Sequence, residues 1–193
     1  MAKLAFYNGC MSSGKTLELL SMAYNYQELG YEIEYFKPAI DTRSKTISSR
    51  IGVSKECILT DSHFNFYDWY INNYYKLNKE LKAIFVDEAQ FLTEKQIEEL
   101  AKLVDIFSVD VFCFGLRLDY MGHLFTGSKK LLEMADHIYE LKTLCKYCDS
   151  KATHNILSID GVVVTKYLPD GEVLIGDEEF QSVCRKHFTE IVK

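Results

Sequence analysis

The residues Gly9-Cys10-Met11-Ser12-Ser13-Gly14-Lys15-Thr16 have the types and spacing to hold a polyphosphate. Two glycines with four residues between them let the backbone curl closely around an anion, so that successive N–H groups point at it. A helix that follows adds its positive N-terminal end. Lys15 can then reach the β- and γ-phosphates, and the Thr16 hydroxyl can ligate Mg2+. The expected ligand is a nucleoside triphosphate. Because such a pattern also arises by chance, its setting matters, and here the setting is strand, loop and helix in the required order.

A second signal is Asp87-Glu88-Ala89-Gln90-Phe91, which closes an apolar run. A carboxylate at the carboxyl end of a strand beside a phosphate loop can hold a Mg2+-bound water, which makes Asp87 the expected Walker B residue. Glu88 lies one residue further into the crevice and can take the proton of an attacking hydroxyl, as a general base. Acidic pairs after strands commonly cap the next helix, so this motif draws its weight from the loop upstream.

The third signal is Cys145-Lys-Tyr-Cys148 followed, after 35 intervening residues, by Cys184-Arg-Lys-His187. Two ligand-x-x-ligand knuckles supply the four donors of a tetrahedral Zn2+. Four protein ligands leave no position for water, so the expected zinc is structural. Cys10, Cys57 and Cys113 have no partner at ligand spacing, and Cys113 reads as core. His63, His123, His137 and His154 lack a catalytic context.

The elements that must position these residues follow from hydropathy. A buried strand is expected over 3–8, and a helix from Thr16 to near Gly30. A second apolar run over 31–36 is closed by Lys37-Pro38. The polar segment 41–52 shows neither helical nor strand period and reads as a mobile loop. Phe64, Phe66, Tyr67, Tyr70, Ile71, Tyr74 and Tyr75 form an aromatic helix face; stacking on bases is conceivable, but core packing is the better account. Apolar runs at 83–86 and 109–114, separated by a helix near 94–104, predict an α/β fold with a mainly parallel sheet covered on both faces. Further along, runs at 151–159 and 162–168 flank Asp160-Gly161, a hairpin signal. The expected organisation is a P-loop nucleotide-binding unit over 1–141 and a small zinc-binding unit over 142–193, where the metal offsets a deficient core.

Composition sets bounds. With 193 residues, 48% of them hydrophobic, and two prolines, the chain has the makings of a folded globule. Its net charge of −6 opposes life on a nucleic-acid polymer, which demands a basic stripe. No run approaches the roughly 20 apolar residues of a membrane span, and no leader pattern opens the chain, so a cytoplasmic protein is expected. In that reducing compartment the cysteines point to metal or packing rather than disulfides. Asp87 to Phe91 also invites comparison with helicases, but the length and the sign of the charge oppose two motor domains. A zinc-ribbon ATPase on single-stranded DNA and a catalytically silent nucleotide sensor remain as rivals.

Taken in order, the motifs resemble the type II thymidine kinase family, the P-loop and zinc-containing deoxynucleoside kinases of the cytosol. The resemblance runs through the phosphate loop with Met11, Asp41-Thr42-Arg43, Ser48-Ser49-Arg50-Ile51-Gly52 and Asp87 to Phe91. It continues through Phe114 to Tyr120 with Gly122 and Leu124-Phe125, the Cys145/Cys148 knuckle, Ile175-Gly176, and Ser182 to Phe188. It implies transfer of the ATP γ-phosphate to the 5′-hydroxyl of thymidine or deoxyuridine, in pyrimidine salvage for DNA synthesis. ATP would be held by Gly9, Cys10, Met11, Ser12, Ser13, Gly14, Lys15, Thr16, Arg43, Asp87 and Gln90. Mg2+ would sit on Thr16 and Asp87, and Glu88 would be the base. The thymine would be held by a lasso loop near 172–180, with Val173, Leu174, Ile175, Gly176 and Phe180, against walls formed by Met11, Phe91, Leu116 and Tyr120. Inhibition by dTTP and a homotetramer are implied as well. Two differences from the family pattern stand out: Phe180 replaces a frequent Tyr, and the lasso is one residue shorter.

Overall fold

Alternation along the central strands explains why they read as unbroken apolar runs. The computed structural model describes residues 1–39, 45–168 and 180–193. In β1 (Leu4–Gly9), β6 (Ala83–Val86) and β7 (Asp110–Gly115), successive residues feed opposite faces of one sheet. Leu4, Phe6, Ile84, Val86, Val111 and Cys113 pack on one side, and Ala5, Ala83, Phe85, Phe112 and Phe114 on the other. Both faces are covered, so neither can be polar. Each fully buried Phe contributes about 1.5–3 kcal/mol relative to leaving it in water.

The sheet has six strands in the order β5-β2-β6-β7-β1-β8, with β2 at Ile33–Pro38, β5 at Ile58–Thr60 and β8 at His137–Leu141. Every pairing in it is parallel. Helix α1 (Lys15–Glu28) covers one face through Leu19, Leu20 and Ala23. The opposite face is covered by α2 (Phe66–Tyr70), α3 (Glu94–Phe107) and α4 (Thr126–Met134). Thr93 and Gln96 form a reciprocal capping box that starts α3 immediately after the 89–91 turn. The expected α/β architecture is therefore present, and β1 and β6 end on the same edge of the sheet with only β7 between them.

Within the polar 41–52 segment, read as a loop, the described part belongs to a hairpin, β3 (Thr46–Ser48) with β4 (Ser54–Glu56). Its strands are three residues long and only Ile47 is fully buried, too little to leave a period in the sequence. The aromatic segment is core, as expected: Phe66, Tyr70 and Tyr74 are buried against the sheet, and the helix passes into a π-helical turn over Ile71–Tyr75.

After β8 the chain forms a three-stranded antiparallel sheet, β10-β9-β11, from β9 (His154–Ile159), β10 (Val162–Val163) and β11 (Phe180–Val183). Asp160 and Gly161 take φ of 50° and 77°, the left-handed pair that a tight hairpin turn requires. Helix α5 (Arg185–Val192) follows. Ile156, Val183, Phe188 and Val192 enclose a small core together with Cys145 and Cys184. Among the described residues, no helix is long and apolar enough to cross a membrane. The expected sites at Arg43, Val173, Leu174, Ile175 and Gly176 lie outside the described residues.

Candidate active site

The phosphate loop leaves β1 at Gly9 and enters α1 at Lys15. A Cβ on Gly9 would fall 2.7 Å from the Leu141 carbonyl oxygen, so the strand end can lie this close to β8 only without a side chain. Ser12 at φ 59° and Gly14 at φ 82° turn the backbone into a concavity, and Ser13 N–H donates to Cys10 O at 3.3 Å. Lys15 Nζ reaches back across it to Cys10 O at 2.8 Å and Gly9 O at 3.4 Å. Burial lowers the Lys15 pKa, while the charges of Glu88 and Asp87 work to raise it.

Those two carboxylates arrive from β6. Asp87 is buried, and its Oδ2 accepts the Thr16 hydroxyl at 3.1 Å. Burial, then the neighbouring Glu88 charge, pushes the Asp87 carboxyl up to about 7 against the opposing pull of the Glu88 N–H, Thr16 and Lys15. A divalent cation there would reverse that balance. The separation of the two oxygens also suits a metal: adjacent ligands of an octahedral Mg2+ at about 2.0–2.1 Å lie about 2.9 Å apart.

Glu88 adopts a left-handed backbone, φ 52° and ψ 35°, which is uncommon for a residue with a Cβ. Its Oε2 accepts from Gln90 Nε2 at 2.6 Å, and Gln90 Oε1 accepts the Leu116 N–H at 3.0 Å. Gln90 is buried, and both ends of its amide serve to orient Glu88 from the end of β7.

Strands β9 and β11 touch the loop directly. Met11 N–H donates to Asn155 Oδ1 at 2.9 Å, and Met11 O accepts from Ser182 Oγ at 2.7 Å. Both polar groups of the Met11 backbone are thus taken by β9 and β11. Ser182 lies two residues before Cys184, which occupies the N-cap of α5 and belongs to a cluster of three cysteines and a histidine.

Cys145, Cys148, Cys184 and His187 converge so that their ligand atoms all lie within 4.8 Å of one another. His187 Nδ1 is 3.4, 3.7 and 3.3 Å from the sulfurs of Cys145, Cys148 and Cys184, and the Cys148 and Cys184 sulfurs are 3.9 Å apart. A tetrahedron with Zn–S of about 2.3 Å and Zn–N of about 2.0–2.1 Å has edges of about 3.5–3.8 Å, so the donor set fits zinc. Burial acts to raise the Cys145 thiol, but the Cys184 and Tyr147 N–H groups and the neighbouring donors outweigh it and hold the thiol at about 6. The Cys184 thiol moves the other way: the His187 N–H acts to lower it, but burial and the Cys145 and Cys148 sulfurs outweigh that and raise it, so a cation is needed before all three can be thiolates.

Comparison with known proteins decides the lineage. The thymidine kinase family model matches residues 2–188. A thymidine kinase of Enterobacteria phage T4 is 42% identical over 199 aligned positions, covering 100% of this chain and 98% of that protein. One from Lactococcus lactis subsp. lactis (strain IL1403) is 42% identical over 192, covering 97% of each. One from Streptococcus agalactiae serotype Ia is 40% identical over 190, again covering 97% of each. The chain belongs to the thymidine kinase family.

In this thymidine kinase family member the residues expected to wall the nucleoside pocket have the following surroundings. Phe91 follows Gln90 and meets Phe125 edge-on, with ring centroids 5.4 Å apart. Leu116 is fixed by its N–H to Gln90 and by Ser128 Oγ on its carbonyl. Tyr120 holds the other side of the turn, its hydroxyl accepting the Leu168 N–H at 3.1 Å. Phe180 opens β11 two residues before Ser182, hence on the side of the strand that faces Met11. The roles of Asn155, Ser182 and Gly115 were missed from sequence. A Cβ on Gly115 would come within 2.5 Å of Gln90 Oε1 and 3.1 Å of Gln90 N. Asn155 left no clear signal, since β9 also carries His154 and Ser158, and only the structure shows that this polar side chain is buried.

Proposed function

We propose that this chain is an ATP:thymidine 5′-phosphotransferase. The observation that carries the reading is the convergence of Lys15 and Thr16 with Asp87 and Glu88 at one edge of the sheet. Membership of the thymidine kinase family supplies the acceptor. The loop amides and Lys15 hold the triphosphate, while Thr16 and Asp87 hold Mg2+. That cation, when bound, neutralises charge on the β- and γ-phosphates. The 5′-oxygen of thymidine attacks the γ-phosphorus in line, its proton passes to Glu88, and the bond from the γ-phosphorus to the β,γ-bridging oxygen breaks to release ADP. Gln90, held by Leu116, keeps the Glu88 carboxylate turned toward the acceptor.

The base lies between Met11, Phe91, Leu116 and Tyr120 and the lasso residues Val173, Leu174, Ile175, Gly176 and Phe180, with Arg43 on phosphate. A pocket that takes thymidine discriminates by only about 10–200-fold against loss of one methyl group, so deoxyuridine is a second substrate. A pyrimidine nucleoside triphosphate such as dTTP occupies the nucleoside and phosphate positions together and inhibits. The zinc on Cys145, Cys148, Cys184 and His187 is structural. The units divide at 141/142, and the enzyme works as a cytoplasmic homotetramer.

The test offers each natural nucleoside with ATP and Mg2+ and identifies the 5′-monophosphate formed. Thymidine monophosphate is expected. ATP turnover without phosphorylation of thymidine, or turnover stimulated by single-stranded DNA, overturns the reading.

A further inference from the structure

Between β7 and α4 the chain folds back on itself around Asp119. Leu118 and Leu124 form an antiparallel bridge, Asp119 N–H donates to His123 O at 2.8 Å, and Gly122 N–H donates to Asp119 O at 3.1 Å. The Asp119 side chain closes the turn from within, its Oδ1 accepting the Met121 and His123 N–H groups at 2.9 Å each. The tip of the turn backs onto α5. A Cβ on Gly122 would come within 3.0 Å of the Phe188 ring, and Met121 packs on the small core that contains Cys145 and Cys184.

The second oxygen of Asp119 takes a partner from 48 residues further along the chain. Tyr167 Oη donates to Asp119 Oδ2 at 2.8 Å and lies 2.5 Å from His123 Nδ1. The hydroxyl has one proton, which goes to the carboxylate, so His123 Nδ1 is the donor in the second contact. The Tyr167 ring stacks on His123 and meets Tyr120 edge-on, with centroids 5.9 and 5.8 Å apart. The next residue adds a further link, since Leu168 N–H donates to Tyr120 Oη at 3.1 Å. Tyr167 is 55% exposed and fills no core, so packing alone does not account for engaging both its hydroxyl and its ring with one turn.

We propose that Tyr167 is a positioning residue of the nucleoside site: by clasping Asp119 and flanking Tyr120, it fixes the Tyr120 ring against the base and so sets the affinity for the pyrimidine nucleoside. This deepens the phosphotransferase reading and rests on it, because Tyr120 is a pocket wall only in that reading. The turn holds the backbone end of Tyr120, the Leu168 N–H holds its hydroxyl, and the Tyr167 ring lies against the side. A wall ordered before the ligand arrives spares the complex the entropy of ordering it. Every bond of the clasp lies within residues 118–124 and 167–168, apart from the phosphate loop, so ATP affinity is independent of it.

The experiment compares wild type, Tyr167→Phe, Asp119→Asn, the double variant and Lys166→Ala, the last removing an exposed charge beside Tyr167. Thymidine and ATP with Mg2+ are titrated separately, kcat and KM are measured, and exchange of the Leu168 amide is followed by nuclear magnetic resonance. Tyr167→Phe keeps the ring and loses the hydroxyl. It is expected to weaken thymidine binding and raise its KM by about 3–10-fold, the worth of one hydrogen bond. Its kcat and ATP affinity stay within about 2-fold of wild type, the pattern of lost ground-state binding. The Leu168 amide exchanges faster, the double variant loses less than the sum of the single losses, and Lys166→Ala matches wild type. Unchanged thymidine affinity, an equal weakening of ATP, strict additivity or an equal loss in Lys166→Ala each overturns the proposal while leaving the phosphotransferase reading in place. A wild type that binds no thymidine overturns that reading. The amide exchange then reads the clasp without a ligand, and equal rates in wild type and Tyr167→Phe overturn it.

Discussion

Asn155 Oδ1 accepts the Met11 N–H at 2.9 Å, joining the phosphate loop to a strand 144 residues further along the chain. With Ser182 on the Met11 carbonyl, this contact holds a residue that belongs at once to the phosphate loop and to the expected nucleoside wall. Asn155→Ala leaves a partly buried N–H without its acceptor, at a cost of about 1–3 kcal/mol. Urea unfolding should show that loss, and the KM for thymidine should rise more than kcat falls. Wild-type stability together with an unchanged KM would exclude the role.

The Cys145, Cys148, Cys184 and His187 cluster is tied to the loop by the same route, since Ser182 and Cys184 share β11 and its continuation. One zinc ion per chain is expected, measured by metal analysis of the purified protein. Cys148→Ser should lower occupancy and the thermal midpoint, and it should weaken thymidine binding more than ATP binding, because the expected nucleoside wall takes Phe180 and the lasso from this part of the chain, while the phosphate loop takes from it the two hydrogen bonds on Met11. A variant that lost its zinc yet kept full thymidine affinity would break the link.

The strands that carry the phosphate loop and the acidic pair were legible because both faces of the sheet are covered, so apolar content alone marks β1, β6 and β7. The acidic pair and the four cysteine and histidine donors were legible because the chemistry they suit demands fixed types at fixed spacings. What stayed hidden was relational. The β3–β4 hairpin rests on one buried residue, Ile47, and has no period to read. Asn155 is one of several polar residues in its strand, and only its bond to Met11 sets it apart. Gly115 looked like an ordinary strand end, and only Gln90 lying against it explains the missing side chain.

Glu34 provides a pH signal away from the site. Burial raises its carboxyl, while the Tyr74 hydroxyl, donating at 2.6 Å, acts to lower it. The folded state then holds this proton to higher pH than the unfolded chain does. Stability from this group is therefore fullest at low pH and falls as pH rises through and above the ordinary Glu range. Glu34→Gln keeps an acceptor for Tyr74 and removes the charge. It should be more stable than wild type at pH 7, with the gap closing toward pH 4, in urea melts across that range. A gap that widened on acidification would reverse the assignment.

Gly115→Ala tests the packing behind Gln90 and Glu88. The new methyl would meet Gln90 Oε1 and its backbone nitrogen, an overpacking of the kind that costs about 1–3 kcal/mol. Gln90→Ala alone frees Glu88 to rotate and leaves the Leu116 N–H without its partner. The double variant should be more stable than the sum of the two single losses predicts, because the clash with Oε1 disappears with the side chain. Strict additivity in a double-mutant cycle would mean that the two residues do not press on each other.

Glu88→Gln separates chemistry from binding. The amide retains an oxygen for Gln90 Nε2, nearly the same volume and the same left-handed backbone, so the loop and the triphosphate site keep their shape. What disappears is the ability to accept the 5′-hydroxyl proton. The variant should lose about 10²–10⁴-fold in kcat, while ATP affinity measured by direct titration stays within about 2-fold of wild type, the pattern of a group that acts in the transition state. Glu88→Asp keeps the charge but draws it back by one methylene, and it should fall between the two. A kcat indifferent to both changes would move the base elsewhere. A parallel loss of ATP affinity would instead assign Glu88 to holding the nucleotide, leaving the acceptor proton to leave with the phosphate oxygens.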